Sequence, residues 1–253
     1  MEFSAGLFYV PNGTKIAPRN LRRQLILYKM VQKKKMPRSR GRPRAYDPDQ
    51  ALAQARDAFW DGGYTGTSLE ELSDATGMNR PSLYGAFGDK RALYLQIMER
   101  YREMGRGVMK EELAYDVSLA EALRRTFARA INIYLAGARG PRGCFLTNTS
   151  ATESVRDADI RAAFAAGLHE LDDQLEARLR YALEHGDLNS DIDPAALARV
   201  LGGVLNSLAL RARAGDSRAT LEATVEAAVR LVTQTAPRAP KAATSASSTA
   251  SRA

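Results

Sequence analysis

The chain has 253 residues, 45% of them hydrophobic and 26% charged, with a formal net charge of +8. That balance describes a soluble globular protein with enough chain to build its own core. One cysteine, Cys144, and two histidines, His169 and His185, exclude a disulfide framework and a multi-cysteine zinc centre. No metal site and no cofactor is expected.

The charge is unevenly placed. Residues 1–35 carry +7, residues 36–45 carry +4 through Arg38, Arg40, Arg42 and Arg44, and residues 237–253 carry +3, while 46–236 carries −6. An overall positive chain suggests an anionic partner such as nucleic acid, but here the basicity lies in the flanks. Residues 1–35 show no helical or strand periodicity. Their one apolar cluster, Leu25-Ile26-Leu27, is too short for a signal-peptide core. Met36 opens a compact natural beginning, so 1–35 is expected to be translated upstream sequence from a misassigned start. A disordered basic arm and an appended expression scar are the alternatives. The Ala/Ser/Thr/Pro-rich tail, 237–253, has no large apolar residue and is expected to be disordered. No apolar run approaches the ~20 residues of a membrane helix; no membrane partner is expected, and the cytoplasm is the expected location.

Between the flanks the periodicity is helical almost throughout. Asp49 to Gly62 repeats Leu52, Ala55, Phe59 and Trp60 at spacings of three and four. Short helices are predicted over Ser68–Thr76 and Asn79–Phe87. Asp89 opens a longer one along Leu93, Ile97, Met98 and Tyr101. Ser118 opens a helix bearing Leu119, Leu123, Phe127, Ile131, Tyr134 and Leu135. A loop over 137–143 and a short segment from Cys144 follow. Long helices are predicted over Asp157–His185, Asp193–Ala214 and Ser217 to about Gln234. The prediction is an all-α chain of about nine helices with no convincing strand.

Residues 65–90 carry the most specific pattern. Thr67 with Glu70 reads as a capping box that starts a helix. Gly77 ends it two turns later, Asn79 caps the next helix, and Pro81 sits in that helix's first turn, where a missing N–H is harmless. Two short helices about a Gly-containing turn form a helix-turn-helix. Its second helix puts Arg80 and Ser82 at the N-terminus, the end that enters a major groove, and Arg80 has the fork to grip guanine. Tyr84 and Lys90 fall where phosphates run. Thr67 and Ser68 offer hydroxyls and N–H groups at a helix start, a natural phosphate site. Arg42 and Arg44 precede the first helix on an arm able to follow the backbone or enter the minor groove. The bland alternative is an ordinary capped helical hairpin.

The run from Arg42 to about Tyr101 resembles the DNA-binding domain of the TetR family of transcriptional regulators. The resemblance rests on Ala58, Phe59, Gly63, Tyr64, Thr67, Ser68, Leu72, Gly77, Ser82, Leu83, Tyr84, Phe87, Lys90 and Leu93, with LYGAFGDKRAL close to the family signature. Gly85 and Ala86 stand where many members have an aromatic residue or His before the Phe. The resemblance implies a three-helix DNA-binding domain over 46–105, with the motif at about 68–87. It further implies a ligand-binding and dimerisation domain over 106–236, a homodimer paired through the last two helices, and a double-stranded DNA operator released by a small-molecule effector.

Independently, helix 193–214 presents Leu197, Val200, Leu201, Val204, Leu205 and Leu208, with Gly202-Gly203 permitting close approach, and helix 217–234 adds Leu221, Val225 and Val229. These are the expected dimer contacts; the bland alternative is intramolecular core, which some of them must be. Candidate lining residues of an effector pocket between helices are Phe127, Ile131, Tyr134, Phe145, Asn148, Phe164 and Leu168, with plain core as the blander reading of each. No cluster of Arg or His in the sequence picks out an anionic ligand. Cys144, near a helix start and near Arg142, is a candidate thiol sensor of oxidants or electrophiles; a small buried apolar role is the plainer reading. A Ser/His/Asp arrangement, an HExxH run and a phosphate-cradling glycine loop are all missing from the sequence, so an enzyme is not expected. A helical scaffold that binds only protein is the other class.

Overall fold

The computed structural model describes residues 8–9, 15–16, 46–138, 140–188 and 191–234. The expectations for the arm at 36–45, the tail at 237–253 and most of 1–35 fall outside these residues. The chain divides into two compact units, 1–45 and 46–253. In the first, β1 (Phe8–Tyr9) and β2 (Lys15–Ile16) pair antiparallel, Phe8 opposite Ile16 and Tyr9 opposite Lys15. No strand is predicted there from periodicity, which two-residue strands are too short to reveal. The usable signal is Pro11-Asn12-Gly13, turn-forming residues between two β-prone pairs.

The second unit is all-α, with nine α-helices among the described residues. They are α1 (Pro48–Gly62), α2 (Leu69–Thr76), α3 (Arg80–Phe87), α4 (Lys90–Glu112), α5 (Leu119–Leu135), α6 (Phe145–Ser150), α7 (Ala158–Glu184), α8 (Pro194–Ala214) and α9 (Arg218–Gln234). A 3₁₀ turn, Glu153–Val155, leads into α7. Most starts use one device, a short side chain accepting an orphan N–H of the first turn. Asp89 accepts from Ala92 N at 2.7 Å, Ser118 from Glu121 N at 3.2 Å, and Asp157 from Ile160 N at 3.0 Å. Gly77, at φ +64°, ends α2 in the left-handed conformation that other residues resist.

Two apolar cores result. The first holds Phe59, Trp60, Leu72, Leu83, Phe87, Leu93 and Ile97, and it takes Phe145, Leu146 and Ile160 from beyond residue 105. The second holds Leu119, Leu123, Phe127, Ile131, Leu175, Leu179 and the inner faces of α8 and α9. The apolar stripe of α7 serves both. Ile160 and Phe164 pack on the first core, Leu175 and Leu179 lie in the second, and Leu168 and Leu171 between them line a cavity.

Two expectations for α8 and α9 are corrected. Leu201, Leu205, Leu208, Leu221, Val225 and Val229 are at most 5% exposed within a single chain, so they are core residues rather than a free interface. Leu197 and Val204 are half-buried at the edge, and Val200 stands 61% exposed. The two adjacent glycines also divide. A Cβ on Gly202 would come within 2.8 Å of Asp172 Oδ1, so that glycine lets α8 approach α7, whereas Gly203 faces open space. By length and composition α8 alone among the described helices is apolar enough to cross a membrane, but its apolar run is broken by Arg199, Asn206 and Arg211, and its Leu201, Leu205 and Leu208 are spent on the core.

Candidate nucleic-acid interface and cavity

The helix-turn-helix is α2 and α3. The capping box is present, shifted by one residue. Ser68 Oγ accepts from Glu71 N at 3.1 Å, and Glu71 Oε2 accepts from Ser68 N at 2.6 Å. Thr67 and Glu70 share the same spacing, so the sequence satisfies the pattern twice. Packing selects the second pair, because Thr67 is 2% exposed and its hydroxyl donates to the Gly63 carbonyl at 2.7 Å, against the end of α1. Thr67 is therefore a buried positioning residue and offers no hydroxyl to a phosphate; Ser68 is exposed.

Asn79 Oδ1 accepts from Ser82 N at 2.9 Å and sets the first turn of α3. From that turn Arg80, Pro81 and Ser82 are exposed, and Tyr84 follows at 46% exposure. Arg80 lies 3.7 Å from Glu70, both side chains more than half exposed. Such a pair contributes little, and the guanidinium can leave it for a stronger acceptor. Lys90 is half-buried, its ammonium 4.7 Å from the Tyr64 ring centroid, and burial lowers its pKa. Arg42 and Arg44 lie outside the described residues.

A cavity of about 380 Å³ opens where the two cores meet. Of the seven expected lining residues, Tyr134 and Leu168 do line it. Phe127, Ile131 and Phe145 are at most 1% exposed and are plain core. Asn148 turns its amide onto the Arg142 carbonyl at 2.7 Å, and Phe164 packs on the first core. Ile131 and Ile133 lie on different faces of α5, and it is Ile133 that lines the cavity.

The cavity's charged members are not among the residues expected from the sequence. Arg56 of α1, Arg102 and Arg106 of α4, Arg129 of α5 and Arg142 of the following loop all line it. Glu170 of α7 accepts from Arg102 Nε at 3.2 Å and from Arg106 Nη1 at 2.9 Å, and these bonds hold its carboxyl below the ordinary value. Tyr101 and Tyr134 line the cavity with phenols that burial raises well above their ordinary value, so both stay neutral. Cys144 is half-buried and lines it too, accepting a long contact from the Tyr101 hydroxyl at 3.8 Å. Arg142 is engaged with Asp57 at 3.1 Å and lies 4.0 Å from the centre of the Trp60 ring.

The chain matches two family models. Residues 51–97 match the bacterial regulatory proteins of the tetR family, and residues 119–228 match the tetracyclin repressor-like C-terminal domain. It is 31% identical over 181 residues to the HTH-type transcriptional repressor ComR of Escherichia coli strain K12, covering 71% of this chain and 86% of ComR. It is 32% identical over 162 residues to the HTH-type transcriptional regulator YezE of Bacillus subtilis strain 168, covering 64% of this chain and 83% of YezE. Among solved structures, a cysteine mutant of the TetR family regulator CifR, complexed with 26-bp double-strand operator DNA, is similar at a TM-score of 0.67 and 32% identity. That match covers 76% of this chain and all of CifR. Helix-turn-helix, cavity-bearing helical body and both sequence matches agree: the chain belongs to the TetR family of bacterial transcriptional regulators.

Proposed function

We propose that the protein is a homodimeric repressor that binds a palindromic DNA operator through α2 and α3 and releases it when a small molecule occupies the cavity. One observation carries the coupling. Arg56 and Trp60 belong to α1, the helix on which α2 packs, and both line the cavity. A ligand there pushes on the helix against which α2 packs, and α2 in turn packs on the reading helix α3. The exposed first turn of α3 supplies the reading residues Arg80 and Ser82, while Ser68 and Tyr84 are placed for phosphates. Arg42 and Arg44 are proposed to add contacts on the arm.

The proposed dimer face is the outward side of α8 and α9. Val200, Leu210 and Leu231 are 61%, 54% and 73% exposed there, and Gly203 lets two copies approach closely. Two heads held by such a face read half-sites about 34–36 Å apart on one side of DNA. A gel shift with DNA upstream of the protein's own gene tests the reading. Saturable binding at least about 100-fold tighter than to random DNA is expected; equal affinity for both sinks it and favours a protein-binding scaffold.

A second reading has its own observation. Cys144 is the one thiol of the chain, and, half-buried against both cores, it also lines the cavity. A quinone entering the cavity would add to the Cys144 thiolate and act as a covalent effector. Cys144→Ser is then expected to keep DNA binding and lose release by benzoquinone. Normal release by the variant refutes this route.

A further inference from the structure

We infer that the cavity takes a small organic anion, a single carboxylate-like charge on an apolar body, with Arg129 as its anchor. The inference deepens the effector reading above and rests on it. Arg102 and Arg106 are both tied to Glu170 and to Glu99. Arg56 and Arg142 share Asp57. Four guanidinium groups thus meet three carboxylates, and Glu170 is the one carboxylate among the described residues that lines the cavity. Arg129 has no acidic partner among the described residues, although it lines the same space from α5 beside Thr126 and Ile133. Arg142 adds a buried Nε that has no acceptor.

The surplus is positive on a wall otherwise built mainly from aliphatic and aromatic side chains, with the neutral polar groups of Thr126, Thr147, Gln174 and Asn206 among them. Glu170 does not relieve it, because two arginines hold that carboxylate charged and occupied. A guanidinium presents a planar fork that a carboxylate fills with two parallel bonds. Arg129 is exposed to solvent, so an anion entering this cavity exchanges water for its guanidinium, a contact that a neutral analogue does not make, and an ammonium meets repulsion. The volume sets the size. At about 380 Å³ the cavity lies at the small end of the range for small-molecule sites, which suits a medium-chain or phenylalkyl carboxylate.

Isothermal titration of the full-length protein with octanoate, 1-octanol and octylamine tests this. Octanoate is expected to bind at least tenfold tighter than 1-octanol, and octylamine not to bind. Arg129→Ala is expected to lose at least tenfold for octanoate and to leave 1-octanol unchanged, with Arg129→Lys recovering part of the loss. Equal binding of octanoate and 1-octanol, an Arg129→Ala variant that binds octanoate normally, or binding of none of the three overturns the inference. A gel shift with octanoate separates the two claims. If octanoate binds through Arg129 and DNA is not released, the cavity chemistry stands and the effector reading falls.

Discussion

The indole of Trp60 is held by Arg142 from two directions. Its Nε1–H donates to the Arg142 carbonyl at 3.1 Å, and the Arg142 guanidinium lies 4.0 Å from the ring centroid. The same carbonyl accepts from Asn148 Nδ2 at 2.7 Å and from Arg213 Nη1 at 3.5 Å, so one loop residue ties α1, α6 and α8 together. Trp60→Phe keeps an aromatic ring and removes the donor. It weakens the cation–π contact and leaves the indole's volume partly unfilled. A loss of about 1–3 kcal/mol is expected by urea unfolding. A loss under about 0.5 kcal/mol would mean that the loop is fixed without Trp60.

Glu170 predicts a pH dependence with a defined sign. Hydrogen bonds from Arg102, then Arg106, hold its folded pKa below the ordinary 4.5. A carboxyl depressed on folding contributes stability above its unfolded value and loses it as pH falls through its folded value. Wild type and Glu170→Gln should therefore differ most in urea midpoint above about pH 5, and the gap should close below pH 4.5. Carboxylates that share no arginine with Glu170, such as Asp157 beside Arg91, are common to both proteins and cancel in the difference. A gap that stays constant from pH 7 to pH 3 would contradict the pairing.

What the sequence revealed was local. Asp89, Ser118, Asp157 and Asp193 cap helices where short polar residues precede apolar periodicity, because a cap needs only its own next three residues. Thr67 and Ser68 show the limit. Both have Glu three residues later, and only the packing of Thr67 against the Gly63 carbonyl decides between them. The cavity was not legible, since Arg56, Arg102, Arg106, Arg129 and Arg142 are scattered over 87 positions of chain and meet only when α1, α4 and α5 pack. Burial on α8 and α9 was half legible. Periodicity marked the apolar faces, but not that Leu201, Leu205 and Leu208 turn inward while Val200 and Leu210 turn out.

Two glycines should respond with opposite signs. Gly143 has φ +65°, and a Cβ there would lie 2.4 Å from Asn148 Nδ2 and 2.6 Å from the Ala209 carbonyl oxygen. Gly143→Ala combines backbone strain with a clash against main chain, and a loss of at least about 3 kcal/mol is expected. Gly85 sits within α3 with nothing within 4 Å of an added Cβ. Gly85→Ala should gain about 0.5–1 kcal/mol by lowering the freedom of the unfolded chain. Thermal unfolding of the two variants checks both; a destabilised Gly85→Ala would show that α3 departs from regular helix there.

The proposed dimer face makes a concentration-dependent prediction. Leu231 is 73% exposed on α9, so Leu231→Asp costs a single chain little. At a self-associating face the same change buries a charge against apolar surface. Sedimentation velocity should show wild type as a dimer and Leu231→Asp shifted toward monomer by at least tenfold in dissociation constant, with unchanged helical circular dichroism. Leu221→Asp is the contrast: Leu221 is 0% exposed inside the chain, and its replacement should unfold the protein rather than split it. A Leu231→Asp protein that remains fully dimeric removes this side of α9 from the interface.

Reading and anchoring should separate on the exposed turn of α3. Arg80 leaves only a long, exposed pairing with Glu70 at 3.7 Å when it reaches DNA. A bidentate contact to a base discriminates by about 1–3 kcal/mol, whereas a phosphate contact carries no sequence information and adds roughly one released counterion to the salt dependence. Arg80→Ala should therefore lower operator affinity by about tenfold or more and leave random-DNA affinity nearly unchanged. Tyr84→Phe removes an exposed hydroxyl placed for a phosphate, and should weaken both equally and by less. Fluorescence anisotropy with operator and scrambled duplexes across 50–300 mM salt measures the affinities and their slopes. If Arg80→Ala weakens both duplexes by the same factor, Arg80 is a phosphate ligand, and the base-reading role passes to Ser82 or to residues beyond α3.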